Sequence, residues 1–562
     1  MSILVVGYTS EEIDGKVVIR NTQGDDIASN DPRELLSFMA HNYGDEHTIN
    51  RKITWDLDEF MSSILRRIGV PLCEVLVKEP SCEAYFTYNT DGGIEFHDIA
   101  EIPADKKLPD NYFSMYYYRR NHVGLQEGRQ YKSYIYHLSQ YFDRDIKIDK
   151  PEDLLPPMQE FTDACFAIGL RPMLMGSAIS LFEDNILKHM DIPTISDIDS
   201  GLPEDDVDTL LGWCDELISR GDWTTNLAIG HWKQGESFDY DLSSAYGYHL
   251  SRLNSIKYAT FIKSNEAVKT ADDGVMQGVI TINSDVRVSP ISYKRNGQII
   301  YPTGSWEDVI TLGQVRWMYR RKIGTFKLNE GIFWTYPSSP VKPFLVPLSR
   351  IFNKRAEGGT VKSLCKRINA SCWGKLIQKH SRTGYIPFKN PIMALQVKTG
   401  ATLQVADFIY NNSLQDSVIH IATDGVRSEK KVSGIPDNAP MGSWRFTGDD
   451  ACVITTPGGI MTPTKKPTGL YYQDIIDVIS QCPDETYYTD KIMRRITLGE
   501  ALLNNALDKV GEFTEFTTSI DLNSNRAKQD YEFDDMPQTG GDLLTKKYYG
   551  QPNKINGGKQ NE

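Results

Sequence analysis

The chain has 562 residues, 40% of them apolar and 24% charged; that can bury a large core, which excludes a disordered chain, and suits about four domains or fewer large ones. No run reaches the length of a membrane span, the apolar run 3–6 is too short for a secretory leader, and eight scattered cysteines without a C-x-x-C pair exclude a zinc ribbon and a secreted disulfide scaffold and fit a reducing cytoplasm. A net charge of −14 argues against a nucleic-acid binder, but Arg316 to Lys398 holds 17 Lys or Arg against Glu330 and Glu357, a local +15 that leaves −29 elsewhere. Such a segment suits a surface that meets phosphates; the other reading is a solvated basic face.

In chain order, residues 3–7 read as a buried strand and 57–69 place apolar residues at helical spacing. A helix is expected over 149–170, interrupted by Pro156 and Pro157, and an amphipathic one over 203–220. Residues 237–246 read as a strand ending in a turn. Residues 279–301 are strand-rich, with a hairpin turn at Arg295–Gly297. The stretch 341–376 is helical and basic, 417–426 and 442–455 read as paired strands, and the last hundred residues mix helices and loops before a disordered tail at 557–562. This irregular alternation predicts a multidomain α+β protein, not one α/β barrel.

Three segments carry chemistry. The first delivers Asp241 at a strand end, followed by Ser244 and Tyr246. The second carries Lys354, Lys362 and Lys366, spaced to lie along one helix face, and then Trp373 and Gly374. The third is the apolar strand 419–422 broken by Asp424 at a tight turn. Phosphoryl transfer from a nucleoside triphosphate needs divalent ions on hard carboxylate oxygens and cations on the pyrophosphate side. A lone Asp on a turn is ordinarily a turn former or helix cap; the ordered trio reads differently.

The trio resembles the motifs of the family B DNA polymerases, above all the protein-primed phage and linear-plasmid branch. Residues 241–246 are similar to motif A, 366–374 to motif B and 422–425 to motif C; Tyr301–Trp306 and Met441–Trp444 extend the likeness, which covers about residues 235–470. The sequence departs from the family pattern at Ala422, in place of the first motif C Asp, and at Gly247, Ala370 and Trp373. The resemblance implies an RNase H-like exonuclease-type domain (1–225) followed by a right-hand polymerase: palm (226–344), fingers (345–385), second palm part (386–455) and thumb with tail (456–562). It implies that Asp241 and Asp424 are catalytic and, with the Leu242 carbonyl, bind two Mg²⁺, with Mn²⁺ able to substitute. Ser244, Tyr246, Lys354, Lys362, Lys366 and Trp373 would bind the nucleotide, Tyr246 excluding a 2′-hydroxyl, and Lys465 and Lys466 would touch DNA. The partners implied are a DNA primer-template and dNTPs, with room for a terminal protein or other replication proteins and with no membrane, in the cytoplasm of a prokaryotic host infected by the encoding element.

The nuclease of this family needs an Asp-x-Glu pair at the end of its first strand. Here that strand runs into Tyr8, Thr9 and Ser10, while Asp56 before the 57–69 helix resembles a later nuclease acid. An inactive nuclease-like domain is expected. The stretch from Gly374 to Pro391 is short for the insertion that supports strand displacement in this branch. Two rivals stay open: a primer-independent primase-polymerase, and a dead polymerase fold that binds nucleic acid or serves assembly.

Overall fold

The computed structural model describes residues 2–31, 41–45, 48–56, 138–172, 201–228, 230–295, 298–377, 389–455, 459–464, 487–496 and 511–521, the strands between 73 and 137, and a scatter of shorter stretches. Lys465, Lys466, the tail 557–562, most of 57–69 and the stretch 378–388 lie outside the described residues. The chain divides into two compact units, one of residues 1–190, 350–368 and 493–516 and one of residues 191–349, 369–492 and 517–562. Among the described residues no helix is long and apolar enough to cross a membrane.

The first unit is built on a ten-stranded mixed sheet in the order Asp26–Ser29, Lys16–Asn21, Ser2–Ile13, Thr48–Thr54, Tyr131–His137, His122–Glu127, Phe113–Tyr118, Cys73–Lys78, Glu83–Tyr88, Ile94–Asp98. The strand expected at 3–7 is the inner part of Ser2–Ile13, which pairs antiparallel with Lys16–Asn21 and parallel with Thr48–Thr54. The expectation for 149–170 needs correcting. A 3₁₀ turn, Pro151–Leu154, leads into the helix Leu155–Ala167. Pro156 and Pro157 fall in its first turn, where a missing N–H removes no intrahelical bond, so they start the helix instead of interrupting it.

In the second unit an antiparallel five-stranded sheet runs Thr224–Asn226, Val418–Ala422, Gly425–Ser428, Phe238–Leu242, Trp444–Gly448. A four-stranded sheet, Thr260–Ser264, Gly324–Thr335, Asp273–Ile282, Gly304–Thr311, lies in the same unit. The hairpin expected near Arg295 is formed by Tyr293–Arg295 and Gln298–Ile300. The stretch 442–455 is split: Trp444–Gly448 joins the five-stranded sheet, while Cys452–Thr455 pairs with Gly230–Trp232 and Gly459–Met461.

Beneath the five-stranded sheet lies the helix Pro391–Asn411, begun by Asn390, whose side chain accepts the Met393 N–H, with Pro391 at the first helical position. It is apolar on most sides because it is covered on most sides. Helices Glu204–Ser219 and Ala245–Arg252 pack on it, and its Val405, Ala406, Phe408 and Ile409 share one core with Tyr240, Ile421 and Val426 of the sheet and Ile280, Ile310 and Phe333 of the four-stranded sheet. Each large side chain so buried contributes roughly 1.5–3 kcal/mol. The sheet's strand ends therefore stand on a well-buried base.

Candidate active site

The strand Phe238–Leu242 alternates. Tyr240 and Leu242 are fully buried, so Asp239 and Asp241 point to the other face. Tyr240 is pinned between Phe408 and Phe446 at centroid distances of 5.4 and 5.7 Å, and its hydroxyl accepts the Val432 N–H at 2.7 Å. Val418–Ala422 and Gly425–Ser428 form a hairpin whose turn is Thr423–Asp424. Asp241 pairs across the ladder with Gly425, and the Leu242 N–H donates to the Asp424 carbonyl at 2.8 Å. The two predicted carboxylates, 183 positions apart in the chain, thus stand at neighbouring strand ends. Burial, then the charge of Asp241, pushes the Asp424 carboxyl up to about 6. Five non-glycine residues among those described have positive φ, and two of them, Ser244 (52°) and Thr423 (59°), flank these acids. Backbone strain concentrated there is what a functional site retains.

Two residues of the site were not anticipated. Arg445, opposite Asp241 on the adjoining strand, places Nε and a terminal nitrogen 2.8 and 2.6 Å from Asp241 Oδ2. It is delivered by Gly442 (φ 80°), where a Cβ would lie 2.1 Å from the Tyr248 ring, so only glycine fits the turn into that strand. Asp222, in the turn after Glu204–Ser219, accepts the Tyr246 hydroxyl, and its charge also raises Asp424. Neither stood out in the sequence. Arg445 follows the Gly-x-Trp patch but gains meaning only from strand register, and Asp222 reads as an ordinary turn aspartate.

The other expected residues divide. Tyr246 begins the helix Ala245–Arg252 and lies against Trp373, ring centroids 5.1 Å apart, while Trp373 donates its indole N–H to the Ala394 carbonyl at 2.9 Å. Ser244 provides the left-handed turn before Tyr246. Leu242 holds the ladder to Asp424 through its N–H. Lys354, Lys362 and Lys366 belong to the first unit and do not share one helix, which corrects the single lysine face. The helix Leu345–Lys354 ends in a 3₁₀ turn, and Gly358 and Gly359, with φ of 79° and 49°, break the backbone before Gly359–Ile377 begins. Lys354 is paired with Glu357, whereas Lys362 and Lys366, one turn apart, are exposed. The basic segment is also less available than its charge suggests. Arg316 donates to the carbonyls of Ala271 and Asp272, Arg320 and Arg321 grip Asp407, and Arg367 donates to the Phe142 carbonyl.

Among the described residues no three His, Cys, Asp or Glu side chains are set together as a metal cage. Asp241 and Asp424 offer paired hard oxygen donors. Both are hard carboxylate donors, and burial followed by the charge of Asp241 raises Asp424, a cost that a bound divalent ion would offset, so the donor set fits Mg²⁺.

No protein-family model and no curated protein matches the sequence. Solved structures do. Phi29 DNA polymerase in an orthorhombic crystal form aligns with a TM-score of 0.56 and 12% identity over 92% of this chain and 99% of that one. The phi29 enzyme complexed with primer-template DNA aligns at 0.54 and 11%, over 91% and 99%. Its ternary complex with primer-template DNA and incoming nucleotide substrates aligns at 0.53 and 12%, over 92% and 98%. At such identity the likeness is one of fold, and the fold of this chain is that of the phi29 DNA polymerase, the protein-primed family B architecture that its motifs resemble.

Proposed function

We propose that the chain is a template-directed DNA polymerase that joins the α-phosphorus of a dNTP to a primer 3′-hydroxyl and releases pyrophosphate, in the replication of a viral or mobile-element genome. The observation that carries this reading is the meeting of Asp241 and Asp424 at adjacent strand ends, against their mutual repulsion, in a chain with this fold. The phi29 complexes hold primer-template DNA and incoming nucleotides, which supports the same partners here.

Asp241 and Asp424 would hold two Mg²⁺, or Mn²⁺. Bound ions of this kind activate the attacking hydroxyl and offset charge on the triphosphate. The chain's own groups do the positioning. Arg445 grips Asp241 through Oδ2. Lys362 and Lys366 are exposed and suited to a phosphate; Lys354, engaged by Glu357, is less so. Tyr246, backed by Trp373, would lie under the incoming sugar. Nuclease-like, palm, fingers and thumb domains at the boundaries given above complete the proposal.

We propose further that the nuclease-like region has no proofreading activity. Tyr8 is buried in the core, Ser10 Oγ donates to the Phe60 carbonyl and accepts from Ser63, and Asp56 Oδ1 caps a helix through the Glu59 N–H.

Primer extension with Mg²⁺ by the wild type beside Asp424→Ala tests the first reading: extension by the wild type and none by the variant is expected. A mismatched primer tests the second: no Mg²⁺-dependent 3′-trimming is expected, and robust trimming would overturn it. A catalytically inert polymerase fold is the competing reading, favoured by Ala422 and by the Arg445 fork on Asp241. It requires that wild type and variant behave alike.

A further inference from the structure

The phenol of Tyr246 is held at both ends. Its ring lies against Trp373, itself fixed by the indole bond to the Ala394 carbonyl, and its hydroxyl donates to Asp222 Oδ1. Asp222 is exposed, but its backbone is anchored on both sides. It follows Gly221 (φ 68°) at the end of the helix Glu204–Ser219, whose last turn is closed by Lys398 Nζ donating to the Leu217 carbonyl at 2.5 Å and to that of Ile218 at 3.3 Å. The next residue, Trp223, is buried, and its carbonyl accepts the Thr423 N–H at 2.9 Å, one residue before Asp424. A phenol packed on one face and bonded at its tip has a single position, whereas one packed on one face alone can tilt.

We propose that Asp222 is a positioning residue for sugar selection: by accepting the Tyr246 hydroxyl it fixes the ring where a 2′-hydroxyl would have to sit. This deepens the polymerase reading and rests on it. The carboxylate would touch neither substrate nor reacting atoms. Its effect would pass through Tyr246, and the same turn would tie the ring to the backbone beside Asp424.

The test is single-nucleotide extension on one primer-template with dNTP and with the matching rNTP, read as the ratio of the two kcat/KM values. Asp222→Ala should lower that discrimination about tenfold through faster ribonucleotide insertion, roughly what one well-placed hydrogen bond supplies. Tyr246→Phe, which keeps the ring and loses the bond, should do the same, and the double variant should lose no more than either single one. Asp222→Asn, whose side-chain carbonyl still accepts, should keep the ratio within about threefold of wild type. An unchanged ratio in Asp222→Ala and Tyr246→Phe overturns the inference, as does equal loss in Asp222→Asn, which would mean the charge and not the bond matters. Should Asp222→Ala fail to fold, Tyr246→Phe and Asp222→Asn decide it. Wild type that extends with neither nucleotide overturns the polymerase reading itself, an outcome distinct from extension with unaltered discrimination.

Discussion

The two units each hold a mixed or antiparallel sheet with a charged residue in an unfavourable place, and the two charges have opposite sign. In the second unit Asp424 is pushed up to about 6 by burial and by Asp241. In the first, Lys52 on the strand Thr48–Thr54 is wholly buried, burial lowers its ammonium to about 7, and its Nζ, like the Tyr8 hydroxyl, has no hydrogen-bond partner among the described residues. Asp424 has a second carboxylate beside it and a guanidinium one strand away, an arrangement that calls for a cation. Lys52 has neither, at the sheet that a two-metal nuclease would need to line with acids. The contrast teaches that electrostatic tension alone does not mark a catalytic site; what marks it is tension between like groups that a single ligand would resolve.

The largest expected effect lies in the second unit. Asp241→Asn or Asp424→Asn should reduce primer extension at least about a thousandfold, more than 4 kcal/mol of barrier, and comparable rates would place the chemistry elsewhere. Next comes Lys52→Met in the first unit. A folded-state value lowered to about 7 from 10.5 means that folding is penalised most below pH 7 and that the penalty fades as pH rises toward 10.5. The variant should therefore gain about 4–5 kcal/mol at pH 6 and little near pH 10, read by thermal unfolding of the full chain. Equal gains at both pH values would show that packing, not charge, is at issue.

Asp424→Asn without metal should be smaller and opposite in pH dependence. A carboxyl raised to about 6 from 3.8 destabilises the fold once pH exceeds 3.8, fully so above 6, so the variant should be stabilised by about 3 kcal/mol at pH 8 and hardly at all at pH 3.5. Millimolar Mg²⁺ should raise the unfolding temperature of the wild type and not of the variant. Smallest is Arg445→Gln. The guanidinium lowers Asp424, so its loss should move the acid limb of kcat/KM at subsaturating Mg²⁺ upward by up to about one pH unit. A limb that stays in place would mean that Asp424 does not control it.

Asp241 and Asp424 were readable as a pair of strand-end acids because the apolar alternation around each is strong and a lone acid interrupts it. The helix Glu204–Ser219 and the hairpin at Arg295 were readable for the same local reasons. The failures were local as well. The single lysine face ignored the left-handed backbone of Gly358 and Gly359, and the supposed interruption by Pro156 and Pro157 ignored how little a proline disturbs a helix in its first turn. Arg445 and Asp222 could not be found, because each acts on a residue far along the chain: 204 positions separate Arg445 from Asp241, and 24 separate Asp222 from Tyr246.

Read without coordinates, the chain already says which side chains of each strand face inward and in what order the acids, lysines and aromatics follow one another, since side-chain alternation and turn chemistry act over a few residues. Which strand lies beside which, and therefore that Asp241 meets Asp424 on one side and Arg445 on the other, came from the fold. Register between distant strands is chosen by how their inner faces pack together around the helix Pro391–Asn411, and that free energy belongs to no single segment.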